Sequence, residues 1–506
     1  MPQKEINELG ATIIKELLFS SLLIASCVEA ALTNDLGDDL TPGTGKSVPI
    51  SHALALALDY QMKDVDATSF SSNSENSTSQ YSSTTALSTT ALLNLDLSYK
   101  LDQVPLVEQA PEKVELASFA LISRAEEEIA NITSRRNPRV EVGFEKRDKS
   151  STDGTSSYHG EEISLVGWWP IGYDGHAFVH VDRINIDAGK LPNNQDAYLY
   201  GKLGAKQFIP IAPVAQRAEG TSLAAGYVGD GLRWDLGVVG IGFPVHNFAG
   251  GIRKSGEIDK LDYALEFSRR PQTSSLLSYA GAHDPATGET WGGVTNTAIS
   301  GRVAKSFDQI YTFASAEYGL LRGKNVLDNN RLAIRIGVDK DYIHQDDLRL
   351  NIGLTLSYWR FKENVSNYTF GHGGYYSPQH YTSISLPVEW IGRKNKLSYL
   401  LRGSVNLSQS QEKDMNYYPT DNALQNASAP GFSVYSGISG NGSGYALRLA
   451  GEYQATQHLA VGGRADIERS AFYEPNTLLI YVKYTLEPQL GPVSFPPTAV
   501  KPYSQF

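Results

Sequence analysis

Residues 347–358, DLRLNIGLTLSY, alternate between apolar and polar side chains without a break. This period of two indicates a β-strand with one apolar face and one polar face. At about 3.4 Å per residue, such a strand extends roughly 40 Å, and a tilt near 40° reduces its span to about 30 Å. That span is the hydrocarbon thickness of a bilayer, whereas strands of soluble proteins usually have only about five or six residues.

The same alternation recurs from about Pro138 to the end of the chain. We count about sixteen such segments, each near the ~10 residues expected of a membrane strand. Short turns of Gly, Asn, Asp and Lys alternate with longer polar stretches such as 362–380 and 409–440. The fold class predicted is therefore all-β, a transmembrane antiparallel β-barrel of about sixteen strands, and the alternative is a large soluble all-β protein. Examples of the segments are LDYALEF (261–267), RLAIRIGVD (331–339), SISLPVEW (383–390), YALRLAGEY (445–453), LAVGGRADIE (459–468) and TLLIYVKYTL (477–486).

The two faces of these segments differ in a way that suits a membrane. The polar faces carry Arg, Asp and Glu, which remain hydrated if they line a water-filled lumen. The apolar faces end in aromatic residues, as the interfacial girdles of membrane proteins do. These aromatic residues are Tyr358, Trp390, Tyr445, Tyr453 and Tyr484.

The N-terminal region is predicted to be short, partly helical and disordered. Residues 1–30 are predicted to be a signal peptide, because LLFSSLLIAS (17–26) has the length of its apolar core. Val28-Glu29-Ala30 resembles a cleavage site, Ile24-Ala25-Ser26-Cys27 resembles the box before a lipidated cysteine, and an ordinary amphipathic helix is the alternative. Residues 31–127 are predicted to be periplasmic, with a Ser/Thr-rich flexible linker at 66–92 and short helices. The barrel is predicted over residues 128–506.

Composition and motifs argue against several classes of function. A net charge of −11 disfavours nucleic-acid binding, and a single cysteine excludes an internal disulfide or a Cys-based zinc site. We find no catalytic motif and expect no enzyme, no cofactor and no metal site. His372 and His380 could be metal ligands, and Asp284 and Glu289 could be a glycosidase pair. We favour loop packing or sugar contact for the two histidines, and turn chemistry at a hydrated rim for the two carboxylates.

Four long stretches resemble one known family in the order of the chain. The chain resembles, over roughly residues 128–506, the C-terminal domain of the bacterial cellulose synthase operon protein C family. Pieces at 128–164 and 184–191 are also similar to that domain. The four stretches are EFSRRPQTSSLLSYAGAHDPATGETWGGV (266–294), LRGKNVLDNNRL (321–332), GHGGYYSPQHYTSISLPVEW (371–390) and LLIYVKYTLEPQLGPVSFPPTAVKPYSQF (478–506).

The resemblance implies a sixteen-stranded barrel that exports cellulose, a β-1,4-glucan, through the outer membrane of a Gram-negative bacterium. The implied partners are the glucan in transit, outer-membrane lipid, an inner-membrane cellulose synthase complex and periplasmic components, and no nucleic acid. Family members carry an array of tetratricopeptide helix pairs before the barrel, but this sequence shows no 34-residue helical repeat. Two explanations remain open. The array could be on a separate polypeptide, or the gene could be a truncated or specialised copy.

A conduit for a neutral glucan needs aromatic platforms for the sugar faces and exchangeable hydrogen-bond partners for the hydroxyls, each binding weakly. Girdle, loop-core and ion-pair roles are the alternatives for every candidate. Segment 271–294 is predicted to form a constriction or gate, and the Pro-rich tail 496–506 to lie against the periplasmic rim or in the lumen. Candidate platforms are Tyr279, Trp291, Tyr375, Tyr376 and Tyr381, and candidate polar contacts are Arg269, Arg270, Gln379 and His380.

Two other functions remain open at the level of sequence. One is a general outer-membrane porin or anchor without polymer specificity. The other is an outer-membrane enzyme that acts on lipid or glycan.

Overall fold

A computed structural model describes residues 136–172, 175–205, 214–470, 475–489, 491 and 493–506. The predicted signal peptide, linker and N-terminal helices fall outside these residues. Among the residues described, no helix is long and apolar enough to cross a membrane.

Sixteen long strands form one antiparallel sheet in which each strand pairs with its neighbours along the chain. The first and last strands also pair, from Arg139 opposite Thr485 to Lys149 opposite Pro475, and this closes the sheet into a barrel. Closure leaves no unpaired strand edge, as lipid requires, so the predicted fold class is confirmed. The strands are β1 (Arg139–Lys149), β2 (Tyr158–Ile171), β3 (Gly175–Lys190), β4 (Ala215–Gly229), β5 (Leu232–Ile241), β6 (Asn247–Ile258), β7 (Leu261–Pro271), β8 (Thr290–Phe307), β9 (Ile310–Lys324), β10 (Asn329–Gln345), β11 (Leu348–Phe361), β12 (His380–Lys394), β13 (Leu397–Gln411), β14 (Ser439–Gln454), β15 (Leu459–Ser470) and β16 (Pro475–Thr485).

Side chains alternate between the outside and the lumen along each strand. In β11, Leu354 and Leu356 are exposed on the outer surface, whereas Gly353 and Ser357 are buried on the inner side. Exposed apolar side chains such as those of Leu354 and Leu356 recur around the outer surface of the barrel. This belt is the surface that lipid chains cover, and four of the five predicted girdle aromatics lie exposed on it: Trp390, Tyr445, Tyr453 and Tyr484.

The two rims of the barrel differ in the length of their connections. At the short-turn rim, two-residue links such as 259–260 and 308–309 join strands, with positive φ at Asp259, Lys260 and Asp308. At the opposite, long-loop rim, connections span 191–214, 272–289, 362–379 and 412–438. In outer-membrane barrels short turns face the periplasm and long loops face outward.

The long loops pack into a structure that we call the loop cap, formed by residues 191–205, 272–294, 362–379 and 412–438. It contains two five-residue helices, α1 (Leu276–Ala280) and α2 (Asn422–Asn426). Two pairs of two-residue strands order the loops. Tyr200–Gly201 pairs with Tyr368–Thr369 of another loop, and Met415–Asn416 pairs with Val434–Tyr435 within one loop.

The start of β8 bends into the loop cap at a pair of glycines. Gly292 and Gly293 have φ of 97° and 60°, and the register with β9 shifts at this point. A Cβ at Gly292 would lie 2.3 Å from the carbonyl oxygen of Leu277. Glycine therefore permits the close contact between this strand and α1.

The C-terminal residues after β16 turn back from the short-turn rim into the lumen. Ser494 Oγ donates to Glu452 Oε1 at 2.8 Å, and Lys483 Nζ donates to Thr498 Oγ1 at 2.6 Å. Glu452 and Lys483 are inward-facing wall residues. Of the two predicted positions for the tail, the lumen is the one observed.

Candidate functional site

The inner wall of the barrel carries charges of both signs that pair with one another. Lys483 Nζ lies 2.6 Å from Glu452, and Arg448 Nε lies 2.6 Å from Asp466 on the next strand. Arg464 contacts both Glu145 at 3.1 Å and Asp466 at 2.9 Å. Pairing leaves a wall rich in hydrogen-bond donors and acceptors without a strong field of one sign.

An aromatic cluster forms the core of the loop cap and joins it to the wall. Trp291 is fully buried and meets Tyr200 edge to face at 5.2 Å between ring centroids. The cluster also includes inward-facing residues of strands from β3 to β12, among them Ile184, Leu321 and Trp359. Because these strands occupy much of the barrel circumference, the cluster spans the lumen at the long-loop end.

All five predicted platforms are buried in this cluster. Tyr279 meets Phe243 edge to face at 5.4 Å, and Tyr381 stacks on Trp359 at 3.9 Å with an interplanar angle of 10°. Trp291, Tyr375 and Tyr376 are likewise less than 5% exposed. The rings contact one another in this conformation, so their contact with sugar stays a prediction.

The four predicted polar contacts lie in three different places. Arg270 points into the lumen, and Gln379 is buried in the loop cap, where its Oε1 accepts from the Lys413 backbone N–H at 2.7 Å. Arg269 is exposed on the outer surface and donates to the Phe248 carbonyl at 3.1 Å. His380 is also exposed on the outer surface, 3.5 Å from the Tyr358 hydroxyl. A role in sugar contact stays a prediction for each of them.

A network at the end of the tail joins the predicted contact Arg270 to residues that the sequence did not single out. Arg270 holds Asp235 through two hydrogen bonds of 2.6 and 2.7 Å. The Tyr503 hydroxyl lies 2.9 Å from Asp235, and its backbone N–H donates to Asp182 at 2.8 Å. Phe506 packs on Phe178 at 5.0 Å between ring centroids. Two features of the sequence could have indicated this network. The prolines exclude the tail from the strand ladder, and its aromatic residues favour a buried position.

The tail end meets the loop cap inside the barrel. Tyr503 belongs to the same buried cluster as Tyr279 and Trp291. A small cavity of about 10 Å³, with room for roughly one water molecule, lies beside this contact, with Glu162, Tyr279 and Gln505 among its lining residues. The loop cap and the tail together therefore fill the lumen where they meet.

Burial in the loop cap disfavours the charged forms of His372 and Glu412. Burial lowers the pKa of His372 to about 4, although its hydrogen bond with the Asn416 carbonyl opposes this shift. Burial raises the pKa of Glu412 to about 7, and a hydrogen bond with Asn364 opposes that shift. Both shifts follow from the cost of a charge in an apolar surrounding.

The residues of the alternative catalytic and metal sites make structural contacts. Asp284 accepts hydrogen bonds from the backbone N–H groups of Lys202 at 2.8 Å and Thr287 at 2.7 Å, while Glu289 pairs with the Lys202 side chain. Asp284 therefore has the predicted turn contacts, but it is buried and does not lie at a hydrated rim. His372 is buried and His380 lies on the outer surface, and the described residues hold no cluster of three or more His, Cys, Asp or Glu side chains that could bind a metal.

The closed sheet, apolar outer belt and charged inner wall define an outer-membrane β-barrel of porin size. The family model of the cellulose synthase operon protein C C-terminus matches residues 156–487, so the chain belongs to this family. The predicted family is thereby confirmed.

Curated relatives of the same name match this part of the chain. Cellulose synthase operon protein C of Salmonella typhimurium is 34% identical over 387 residues, which cover 74% of this chain and 32% of the relative. The Escherichia coli K12 protein is 33% identical over 385 residues, covering 74% and 33%. The chain thus spans about a third of the length of these relatives.

Solved structures with a similar fold include a bacterial polysaccharide outer membrane secretin. It is 10% identical, covers 70% of this chain and 99% of its own, and has a TM-score of 0.43. OmpT of Vibrio cholerae with loop L8 deleted is 8% identical, covers 69% and 98%, and has a TM-score of 0.31.

Proposed function

We propose that this barrel is an exit pore for a neutral β-linked glucan of the cellulose class, and that the structure is its closed state. The observation that carries the proposal is a wide barrel with an internally paired polar wall, in a chain of the cellulose synthase operon protein C family. Barrels of sixteen to eighteen strands leave room for an aqueous channel.

The wall suits a neutral polymer better than a charged one. A glucan presents equatorial hydroxyls, which exchange hydrogen bonds with wall groups such as Arg448, Asp466 and Glu452. Because these charges are already paired, none of them binds a hydroxyl tightly enough to stall the chain. A strongly anionic polymer would instead meet the wall carboxylates.

Opening of the loop cap would make the buried aromatic rings available to sugar. We propose that Tyr279, Trp291, Tyr375, Tyr376 and Tyr381 then serve as stacking platforms for the apolar pyranose faces. Arg270 and Gln379 are the proposed polar contacts within the pore. Arg269 and His380 point outward in this state, so they would contact only polymer that has already left the lumen.

We propose passage of polymer, without bond making, as the activity. The related proteins are named after a cellulose synthase operon, and this supports an inner-membrane synthase complex and periplasmic components as partners. The predicted division of residues 1–127 into a signal and a periplasmic region belongs to the same proposal.

Ion conductance in a planar bilayer tests this function. A Tyr503→Ala/Phe506→Ala variant, which loses the tail contacts with Asp235 and Phe178, should conduct more than the wild-type chain. We expect cellohexaose to block that current at concentrations about tenfold lower than maltohexaose, because only the β-linked chain is extended and flat.

The alternative functions give different results in the same measurement. Equal block by the two hexasaccharides would favour a general porin and would contradict a glucan-selective pore. A barrel that stays silent in every variant would favour an enzyme or an anchor.

A further inference from the structure

The outward-facing charges at the long-loop rim are distributed unevenly around the barrel. On β7, β9 and β11, the outward row changes from apolar residues to cations near the loops: Phe267 precedes Arg269, Leu320 precedes Arg322, and Tyr358 precedes Arg360. We call the exposed side chains of Arg269, Arg322, Lys324 and Arg360 the cationic rim.

The members of the cationic rim lack acidic partners, with one exception. Arg322 lies 3.2 Å from Asp328, and both side chains are about two-thirds exposed to solvent. Arg269 donates to a backbone carbonyl. Lys324 and Arg360 form no ion pair with any residue that the structure describes. The rim therefore presents an excess of positive charge toward the surroundings of the barrel.

The sector on β1, β3 and β4 also carries outward-facing cations on its strands, and three of them have acidic partners. Arg183 lies 2.7 Å from Glu219, and Arg217 lies 2.7 Å from Asp187. Lys146 lies 3.9 Å from Asp148. We call Lys146, Arg183 and Arg217 the paired rim. The excess positive charge on β7, β9 and β11 is therefore specific to this sector of the barrel.

We propose that the cationic rim binds the phosphate groups of glycolipids in the outer leaflet of the membrane. These side chains project radially just above the apolar belt, so their neighbours at that height are lipid headgroups. Arg guanidinium groups match phosphate oxygens in geometry as well as in charge. The proposal does not depend on glucan export, because it concerns the outer surface alone.

Lipid binding by the purified full chain in nonionic detergent tests the proposal. The probes are a bisphosphorylated diglucosamine lipid, the same lipid with both phosphates removed, and inorganic phosphate. Native mass spectrometry counts the lipids retained at each concentration. We expect the bisphosphorylated lipid to bind at least about tenfold more tightly than its dephosphorylated form, since each Arg or Lys near an anionic surface contributes roughly a kilocalorie per mole.

Two matched triple variants locate the site. Arg269→Gln/Arg322→Gln/Arg360→Gln should weaken binding of the phosphorylated lipid at least about tenfold. Lys146→Gln/Arg183→Gln/Arg217→Gln removes the same number of exposed cations from the paired rim and should leave binding nearly unchanged. Replacing the three cationic-rim arginines with lysine should preserve most of the binding, and a heat-modifiable gel shift checks that each variant is folded.

Three results would overturn the proposal. Equal losses in the two triple variants would show that general surface charge, and not this sector, attracts the lipid. Equal binding of the two lipids would remove phosphate from the interaction. If inorganic phosphate displaced the lipid at a concentration equal to that of the lipid, the cationic rim would be a site for a free anion and not for a lipid.

Discussion

The barrel wall and the loop cap are held together by different forces. β13 and β14 pair without a register break from Leu397 opposite Tyr453 to Gln411 opposite Ser439. The loop cap contains only two-residue ladders and five-residue helices, and its order comes from aromatic burial around Trp291. The wall is therefore a continuous hydrogen-bonded unit, whereas the cap is a small core packed against it.

This difference predicts that the loop cap opens at a lower free energy than the barrel unfolds. Helices as short as α1 are marginal without tertiary contacts, even with the Ser275–Ser278 capping box that begins α1. Regions with few ladder hydrogen bonds open locally before the cooperative core does. A cap that moves while the wall stays closed is what a gated pore requires.

The largest effect should come from Trp291→Ala, which removes the largest buried side chain of the cap. We expect it to destabilise the cap by about 3–5 kcal/mol, because its partners Tyr200 and Phe370 cannot fill the space. Bilayer conductance should rise, while the heat-modifiable gel shift of the barrel should stay unchanged.

Trp390→Ala is the matched control, because Trp390 is an exposed aromatic residue on the outer surface. It should leave the conductance close to that of the wild-type protein. If Trp291→Ala instead unfolded the barrel together with the cap, the two regions would be one cooperative unit.

The next effect concerns the tail, which joins the cap to the wall. Asp235→Ala leaves the Arg270 guanidinium without its bidentate partner and removes one of the two acceptors of the Tyr503 hydroxyl, the other being the Ala249 carbonyl. We expect this to weaken tail docking by about 2–3 kcal/mol. Digestion of the C-terminus by a carboxypeptidase, followed by mass spectrometry, should become faster.

The Asp235→Ala/Arg270→Ala double variant separates the ion pair from the tail contact. Removing both charges relieves the unpaired guanidinium, so the loss of barrel stability should be smaller than in Asp235→Ala alone. The tail should still be digested faster than in the wild-type protein, because the Tyr503 hydroxyl keeps only the Ala249 carbonyl as an acceptor. Digestion at the wild-type rate in both variants would show that Asp235 does not hold the tail.

Sequence periodicity could predict the wall because each residue on a strand has a fixed side. The same rule also separates Arg269 from Arg270. Phe267 faces lipid, so Arg269 faces outward and Arg270 faces the lumen. Likewise Ile384 faces lipid, which places His380 outside and Tyr381 inside. The alternation alone could therefore have separated Arg269 and His380 from the residues that face the lumen.

The loop cap and the tail network could not be predicted in the same way. Tyr279 and Trp291 lie in segments without a period, so nothing local states that they meet Phe243 and Tyr200. Their contacts depend on where distant strands bring the loops together. The pairing of Asp235 with Tyr503 joins residues far apart in the chain and has no local signal either.

The smallest effect should come from pH, through Glu412 at the edge of the cap. Its pKa is raised to about 7 by burial, from an ordinary value of 4.5. Between these values the ordered cap binds more protons than the open cap, so the stability of the cap falls as pH rises from 4.5 through 7. With solvent screening we expect Glu412 to contribute about 1 kcal/mol, seen as a rise in conductance above pH 6.5, where the opposing titration of His372 is largely complete.

Glu412→Gln isolates this contribution because the amide keeps the shape and cannot titrate. The rise in conductance above pH 6.5 should be lost in the variant. His372 acts in the opposite direction, because burial lowers its pKa to about 4 from 6.5 and the cap loses stability as pH falls through that window. Glu412→Gln should therefore leave only the opening on acidification. A rise in conductance above pH 6.5 that persists in the variant would assign this response to groups other than Glu412.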